Sequence, residues 1–218
     1  MSDTVSKALN IQAVLFDADG VLQEPVKGER ERLASLCGVP SRKEEFVTDF
    51  LSAEMPCLRG DADMTEVIGA VLKKWDSPYS VEHAIETHTK IVAMNPESIE
   101  VVRALRKSGV PAYLATNQHE YRAQYMSEIF GYADIFDGEF YSCRLGTKKP
   151  EPDYFRSILE SLPFAPENLL FIDDRKRNVA AAQSVGIHAV EYDIGEGVEA
   201  LRDILREYGL EACTRSCT

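Results

Sequence analysis

The stretch Val14-Leu15-Phe16-Asp17-Ala18-Asp19-Gly20-Val21-Leu22 limits what this chain can become more than any other. An apolar run stops at two carboxylates and a glycine. Such a run, closed by a turn signal, suits a strand buried on both faces of a parallel sheet. The carboxylates then stand at the strand's C-terminal end, the edge where open α/β sheets place their ligands. Asp17 and Asp19 are two apart, so on a continuing strand their side chains share a face. Two acids that close repel unless a cation or a shared proton lies between them. Gly20 supplies the freedom a tight exit needs. Read alone, the pair is either a chemical site or a solvated turn, since Asp and Gly both form turns.

Two more apolar runs end in the same way. Residues 110–115 stop at Thr116-Asn117, and Leu169-Leu170-Phe171-Ile172 stops at Asp173-Asp174. Helical patterns alternate with these strands: one opened by Asn95-Pro96 and ended by Gly109, then 121–130, 152–162, 178–185 and an amphipathic 198–208. Shorter strands are predicted near 139–143 and 187–192. Alternation of this kind predicts right-handed crossovers and an α/β fold with a doubly wound parallel sheet. Residues 28–94 read differently, as helices with no convincing strand. Gly38 is read as the glycine that ends a first helix, and Ser41 with Glu44 as a capping box for a second. Asp63 caps a third, and Ser80 or Tyr79 starts a fourth that runs through Ile91 to Val92. Four such helices make a small bundle with its own apolar centre. The chain therefore divides into a core of residues 1–22 and 95–218 and a helical cap of residues 23–94.

With 218 residues, the chain can bury a sizeable core as one or two domains. Its net charge of -12 argues against nucleic acid and anionic membranes, both of which need a cationic face. An acidic protein still binds a phosphorylated metabolite where cations gather at the site. No apolar segment approaches the ~20 residues of a membrane span. The start of the chain, with only Lys7 before an apolar stretch broken by Asn10 and Gln12, does not read as a secretory signal. The five cysteines are odd in number and scattered, unlike a disulfide framework. Cys213 and Cys217 read as free thiols of a terminal tail, with no partner ligands nearby. The cytoplasm is the expected location.

In a parallel sheet the three polar strand ends lie on one edge, and Lys149-Pro150 stands in a loop before a helix. The cluster offers carboxylates, a hydroxyl and an ammonium, with no serine, cysteine or histidine triad evident. Oxygen ligands of this kind suit Mg²⁺, which would relieve the repulsion among Asp17, Asp173 and Asp174. Each piece also has a plainer reading. Thr116-Asn117 could be a strand exit and helix cap, Lys149 a solvated lysine, and Asp173-Asp174 a cap for the next helix. His119 either faces the substrate or sits in water in the first helical turn. His83 and His88 read as surface or packing residues, Trp75 and the nearby phenylalanines as bundle core, and residues 42–45 as a solvated face.

Taken in order, Asp17-Ala18-Asp19-Gly20, Thr116-Asn117, Lys149-Pro150-Glu151-Pro152 and Asp173-Asp174 with Asn178 resemble the four motifs of the haloacid dehalogenase-like hydrolases. The resemblance is to the phosphatase type with a helical cap after the first motif, and it spans residues 13–192. It implies Asp17 as nucleophile and Asp19 as the acid that protonates the leaving oxygen and then the base that activates water. Dehalogenases of the family lack this second Asp, so Asp19 favours phosphate chemistry. Thr116 and the backbone amide of Asn117 would hold the phosphoryl oxygens, and Lys149 would neutralise nucleophile and phosphate. Mg²⁺ would bind Asp17, the main-chain carbonyl of Asp19 and Asp174, with Asp173 acting through water, while Asn178 would orient the acid loop. The loop of residues 145–150 and Asn117-Gln118 are similar to those of sugar-phosphatase-like members and of the phosphatase domain of epoxide hydrolases. The expectation is a Mg²⁺-dependent phosphomonoester hydrolase whose partner is a small phosphorylated substrate, a sugar phosphate first. A phosphosugar mutase and a non-catalytic binding module are the competing readings.

Overall fold

The computed structural model describes residues 10–210, so Lys7, Cys213 and Cys217 lie outside the described residues. The chain runs through β1 (Ala13–Phe16) and the short β2 (Gln23–Pro25) into four helices, α1 (Glu29–Ala34), α2 (Lys43–Ala53), α3 (Met64–Lys74) and α4 (Val81–Thr89). It returns through β3 (Val92–Met94), α5 (Pro96–Lys107), β4 (Ala112–Thr116), α6 (Glu120–Glu128), α7 (Tyr132–Ile135) and β5 (Gly138–Tyr141). The remainder is α8 (Ser142–Leu145), α9 (Pro152–Ser161), β6 (Leu169–Asp173), α10 (Lys176–Ser184), β7 (His188–Glu191) and α11 (Val198–Glu207).

The five main strands form a parallel sheet in the order β5-β4-β1-β6-β7, with the run that opens the sequence at its centre. Both faces of its three central strands, β4, β1 and β6, are covered, which is why these strands are apolar without alternation. The edge strands β5 and β7 carry polar, partly exposed residues. Val14 and Phe16 pack with Leu114 and Ile172 beneath Val102 and Leu105 of α5 and Leu201 and Leu205 of α11. Ala13 and Leu15 point the other way, with Phe171, against Phe155 and Ile158 of α9 and Val179 and Ala182 of α10. Helices on both faces make the sheet doubly wound, as the alternation predicts. Burying a side chain such as Leu15 or Phe16 fully contributes about 1.5–3 kcal/mol. Asn95 caps α5 by accepting from the Ser98 amide, with Pro96 as first helical residue.

The inserted segment has an apolar centre of its own, built from Leu33, Phe46, Phe50, Ile68, Leu72, Trp75 and Ile85. Trp75 meets Phe46 edge-on at 6.1 Å, and its indole N–H donates to Asp49 at 2.9 Å. Asp63 and Ser80 cap α3 and α4 as expected, and Arg42 and Glu45 pair in solvent.

Three local expectations are corrected. Ser41 caps nothing: residues Pro40–Arg42 form a 3₁₀ turn, and α2 begins at Lys43 without a side-chain cap. Gly38 is not a helix-ending glycine, because α1 ends at Ala34; a Cβ there would fall 1.8 Å from the Asp76 carbonyl oxygen. The position needs a glycine for close backbone approach rather than for a left-handed φ. Finally, α4 stops at Thr89, and Val92 begins a strand. β2 and β3 pair antiparallel, Gln23 opposite Met94 and Pro25 opposite Val92, and the Asn95 amide donates to the Leu22 carbonyl at 2.8 Å. A three-residue strand is too short to show a period of two, so this ribbon leaves no pattern to read. It zips together the two passages between core and insertion.

Candidate active site

Asp17 is the first residue beyond β1, and its amide still continues the sheet by donating to the Ile172 carbonyl at 2.9 Å. Asp17 Oδ1 accepts from the Ala18 amide at 2.7 Å and from the Lys149 ammonium at 2.8 Å. The chain then turns sharply, with Gly20 at φ +82°, so the strand does not continue through Asp19. Asp19 nevertheless faces the same cleft. Two carboxamides hold it: Gln23 Nε2 donates to Oδ1 and Gln118 Nε2 to Oδ2, each at 2.7 Å. Gln23 in turn accepts from the Tyr132 hydroxyl at 3.1 Å.

Lys149 is 3 % exposed, which excludes its reading as a solvated lysine. Its Nζ lies between Asp17 Oδ1 and Asp173 Oδ2, at 2.8 and 2.7 Å. The loop that carries it is clamped from the end of β4. Asn117 Oδ1 accepts from the Lys149 amide and Asn117 Nδ2 donates to the Lys149 carbonyl, both at 2.9 Å. This clamp goes beyond the phosphate-holding amide expected of Asn117. Thr116, the last residue of β4, is buried with its hydroxyl accepting from Gln118 Nε2 at 3.4 Å.

Asp173 ends β6 fully engaged. Besides Lys149, its Oδ1 accepts from the Arg175 amide at 2.9 Å, and Asn178 Nδ2 donates to both its oxygens at 2.9 and 3.0 Å. Asp174 is the opposite case. Its Oδ1 is buried without a hydrogen-bond partner, and it presses on the first acid loop so closely that a Cβ on Gly20 would sit 2.8 Å from its carboxylate.

Burial pushes Asp17 up, to about 8, against the pull of Lys149, while Asp173 adds to the rise. Burial alone would raise Asp173 as well, but Lys149 and the amides around it hold it below the usual carboxylate range. Asp174 is raised by burial and by Asp173. Burial opposes the charge on Lys149, yet the two flanking acids keep it raised. One ammonium thus serves three acids that each offer an oxygen within 4.8 Å of the others. An all-oxygen, acid-rich set with an unpartnered Asp174 oxygen fits Mg²⁺.

The cleft above these groups has a volume of about 340 Å³. Sequence reasoning singled out Gln118 beside Asn117 but not its hold on Asp19, and it missed Glu54, Met55 and Arg122, for which no signal exists. His119 is not in water. It is 1 % exposed, caps α6 by accepting from the Arg122 amide, and stacks on His88 of the insertion with ring nitrogens 3.2 Å apart. Burial, with Arg122 beside them, drives both imidazoles toward the neutral form, His119 to about 3. His83 stacks on the exposed Tyr79.

A family model described as haloacid dehalogenase-like hydrolase matches residues 11–186. A sesquiterpene phosphatase of Aspergillus oryzae is 32% identical over 87 residues, which is 40% of this chain and only 44% of that protein. The phosphoglycolate phosphatase of Escherichia coli K12 is 23% identical over 94% of this chain and 96% of its own. Among solved structures, a HAD family enzyme of Bacteroides thetaiotaomicron in complex with magnesium and inorganic phosphate shares the fold. Its TM-score is 0.75 at 21% identity, over 88% of this chain and 98% of that one.

Proposed function

This chain belongs to the haloacid dehalogenase-like hydrolases, and from that premise we propose that it is a Mg²⁺-dependent phosphomonoesterase working through an aspartyl-phosphate. One observation carries the reading: Lys149 Nζ stands between Asp17 and Asp173 while the neighbouring Asp174 oxygen lacks a partner.

Asp17 is the nucleophile. With Oδ1 tied to the Ala18 amide and Lys149, its other oxygen is presented to phosphorus in a fixed direction. Attack forms the Asp17–phosphate bond as the ester oxygen leaves. Asp19 gives that oxygen its proton, and in the second step takes one from the water that hydrolyses the acyl phosphate. Gln23 and Gln118 keep Asp19 aimed without adding charge. Thr116 and the Asn117 amide donate hydrogen bonds to the phosphoryl oxygens, and Lys149 offsets their charge as well as that of Asp17. Asp17, Asp174 and the Asp19 carbonyl would hold Mg²⁺, with Asp173, already saturated, acting through water. The ion supplies charge neutralisation at the phosphoryl oxygens. The helical insertion, residues 23–94, acts as the lid, since its Glu54, Met55 and Leu58 close one side of the cleft.

A small phosphorylated metabolite is the substrate, with sugar phosphates the class to try first. Purified protein with Mg²⁺ should hydrolyse p-nitrophenyl phosphate, and Asp17→Asn should lose at least ~10³-fold in kcat, as for loss of a covalent nucleophile. Near-normal turnover by Asp17→Asn in a folded protein would remove the nucleophile from the scheme.

A further inference from the structure

Five buried side-chain nitrogen or oxygen atoms among the described residues lack a hydrogen-bond partner. Asp174 Oδ1 and Asn178 Oδ1 belong to the acid loop, and Thr89 Oγ1 lies outside the cleft in a groove beside α4. The other two, Glu54 Oε2 and Arg122 Nε, line the cleft together with Asp17 and Asp19. They come from different parts of the molecule. Glu54 closes the C-terminal end of α2 in the insertion, and Arg122 stands in the first turn of α6 in the core.

Neither is loose. Arg122 is 8 % exposed, and its Nη2 donates to the His88 carbonyl at 2.5 Å, which pins the guanidinium while leaving Nε without an acceptor. Glu54 Oε2 is 3.2 Å from His88 Nε2 but makes no hydrogen bond. No direct ion pair joins Glu54 to Arg122 among the described residues, although each lies close enough for Arg122 to act on the Glu54 carboxyl. A donor and an acceptor of opposite charge, both unsatisfied, therefore stand in the wall of one cleft, beside the acid that protonates the leaving oxygen.

We propose that Glu54 and Arg122 form the leaving-group subsite, and that the substrate is the phosphate ester of a hydroxylated alcohol such as a sugar. The inference rests on the phosphatase reading. An alcohol hydroxyl has one donor and two lone pairs, so it satisfies both groups at once, donating to Glu54 and accepting from Arg122. An apolar leaving group would leave both unpaired. A carboxylated one would gain Arg122 but face the like charges of Glu54 and Asp19.

The test compares kcat/KM for hexose and pentose phosphates, n-hexyl phosphate and 2-phosphoglycolate, with p-nitrophenyl phosphate as reporter of the chemical step. The wild-type enzyme should favour at least one sugar phosphate over both other esters by roughly tenfold or more. Glu54→Gln removes the like charge but keeps an acceptor, so it should shift the ratio of phosphoglycolate to sugar phosphate roughly tenfold toward the acid. Arg122→Lys, which lacks the Nε donor, should lower sugar phosphate turnover most. If Arg122→Lys fails to fold, as a thermal melt would reveal, Glu54→Gln decides. Turnover of p-nitrophenyl phosphate with a flat ester panel, or with a ratio that Glu54→Gln does not move, overturns the subsite alone. No turnover of any ester overturns the phosphatase reading, and the subsite with it.

Discussion

Lys149 and Glu54 show how a single buried charge can be stabilised or left uncompensated. A buried ammonium survives only with partners, and Lys149 has two carboxylates within 2.8 Å. Glu54 has no such partner. Burial pushes its carboxyl up to about 7, with Asp19 adding to the rise and Arg122 opposing it. Between the ordinary glutamate value of 4.5 and about 7 the folded protein therefore binds more protons here than the unfolded chain. Linkage then makes this group cost stability progressively as pH rises through that window, by on the order of 3 kcal/mol in full. Glu54→Gln should flatten the fall in unfolding free energy between pH 4.5 and 7, read from urea titrations at several pH values. Equal slopes for the two proteins would show that the Glu54 carboxyl is ordinary.

At the level of elements, the end of β4 organises the loop before α9. Asn117 grips the Lys149 backbone by both its amide and its carbonyl, so one strand end sets the position of an ammonium from another loop. Asn117→Ala removes both bonds and frees the Lys149 loop, while Asp17, Asp19 and Thr116 keep their own supports. Misplaced charge in such a site costs about 10²-fold in kcat. The expected result is a kcat loss of that order with Mg²⁺-induced thermal stabilisation retained. An unchanged kcat would make the clamp a fold contact only. The ribbon of β2 and β3 works at the same scale. It ties Leu22 to Asn95, so the insertion leaves and rejoins the core at one point.

For the molecule as a whole, the acid loops of β1 and β6 carry more negative charge than Lys149 can balance, and a divalent cation should bind the folded state alone. A ligand at 100 times its Kd stabilises by about 2.7 kcal/mol, so Mg²⁺ should raise Tm by several degrees. Chelator should abolish turnover and added Mg²⁺ restore it. Asp174→Asn should lose the Tm shift, because its oxygen is the unpartnered one. Chelator-insensitive turnover would remove the metal from the mechanism. Among the described residues no helix is long and apolar enough to cross a membrane.

What the sequence determined by itself was the sheet and its polar edge. Apolar runs that end in Asp17, Thr116 and Asp173 carry their own strand signal, and a parallel sheet brings such ends together whatever the loops do. The motif residues were therefore legible, and so was the existence of a helical insertion with its own core. Only the tertiary structure decided which partners each of them has. Asp173 is saturated and Asp174 is not, Asn117 clamps a lysine from another loop, and His119 is stacked beneath the insertion. Glu54 and Arg122 share a cleft although they are far apart in sequence and lie in no recognisable pattern. The physical reason is one of range. Backbone periodicity is encoded by neighbours along the chain, whereas the satisfaction of a buried polar atom depends on what packing brings to it from elsewhere.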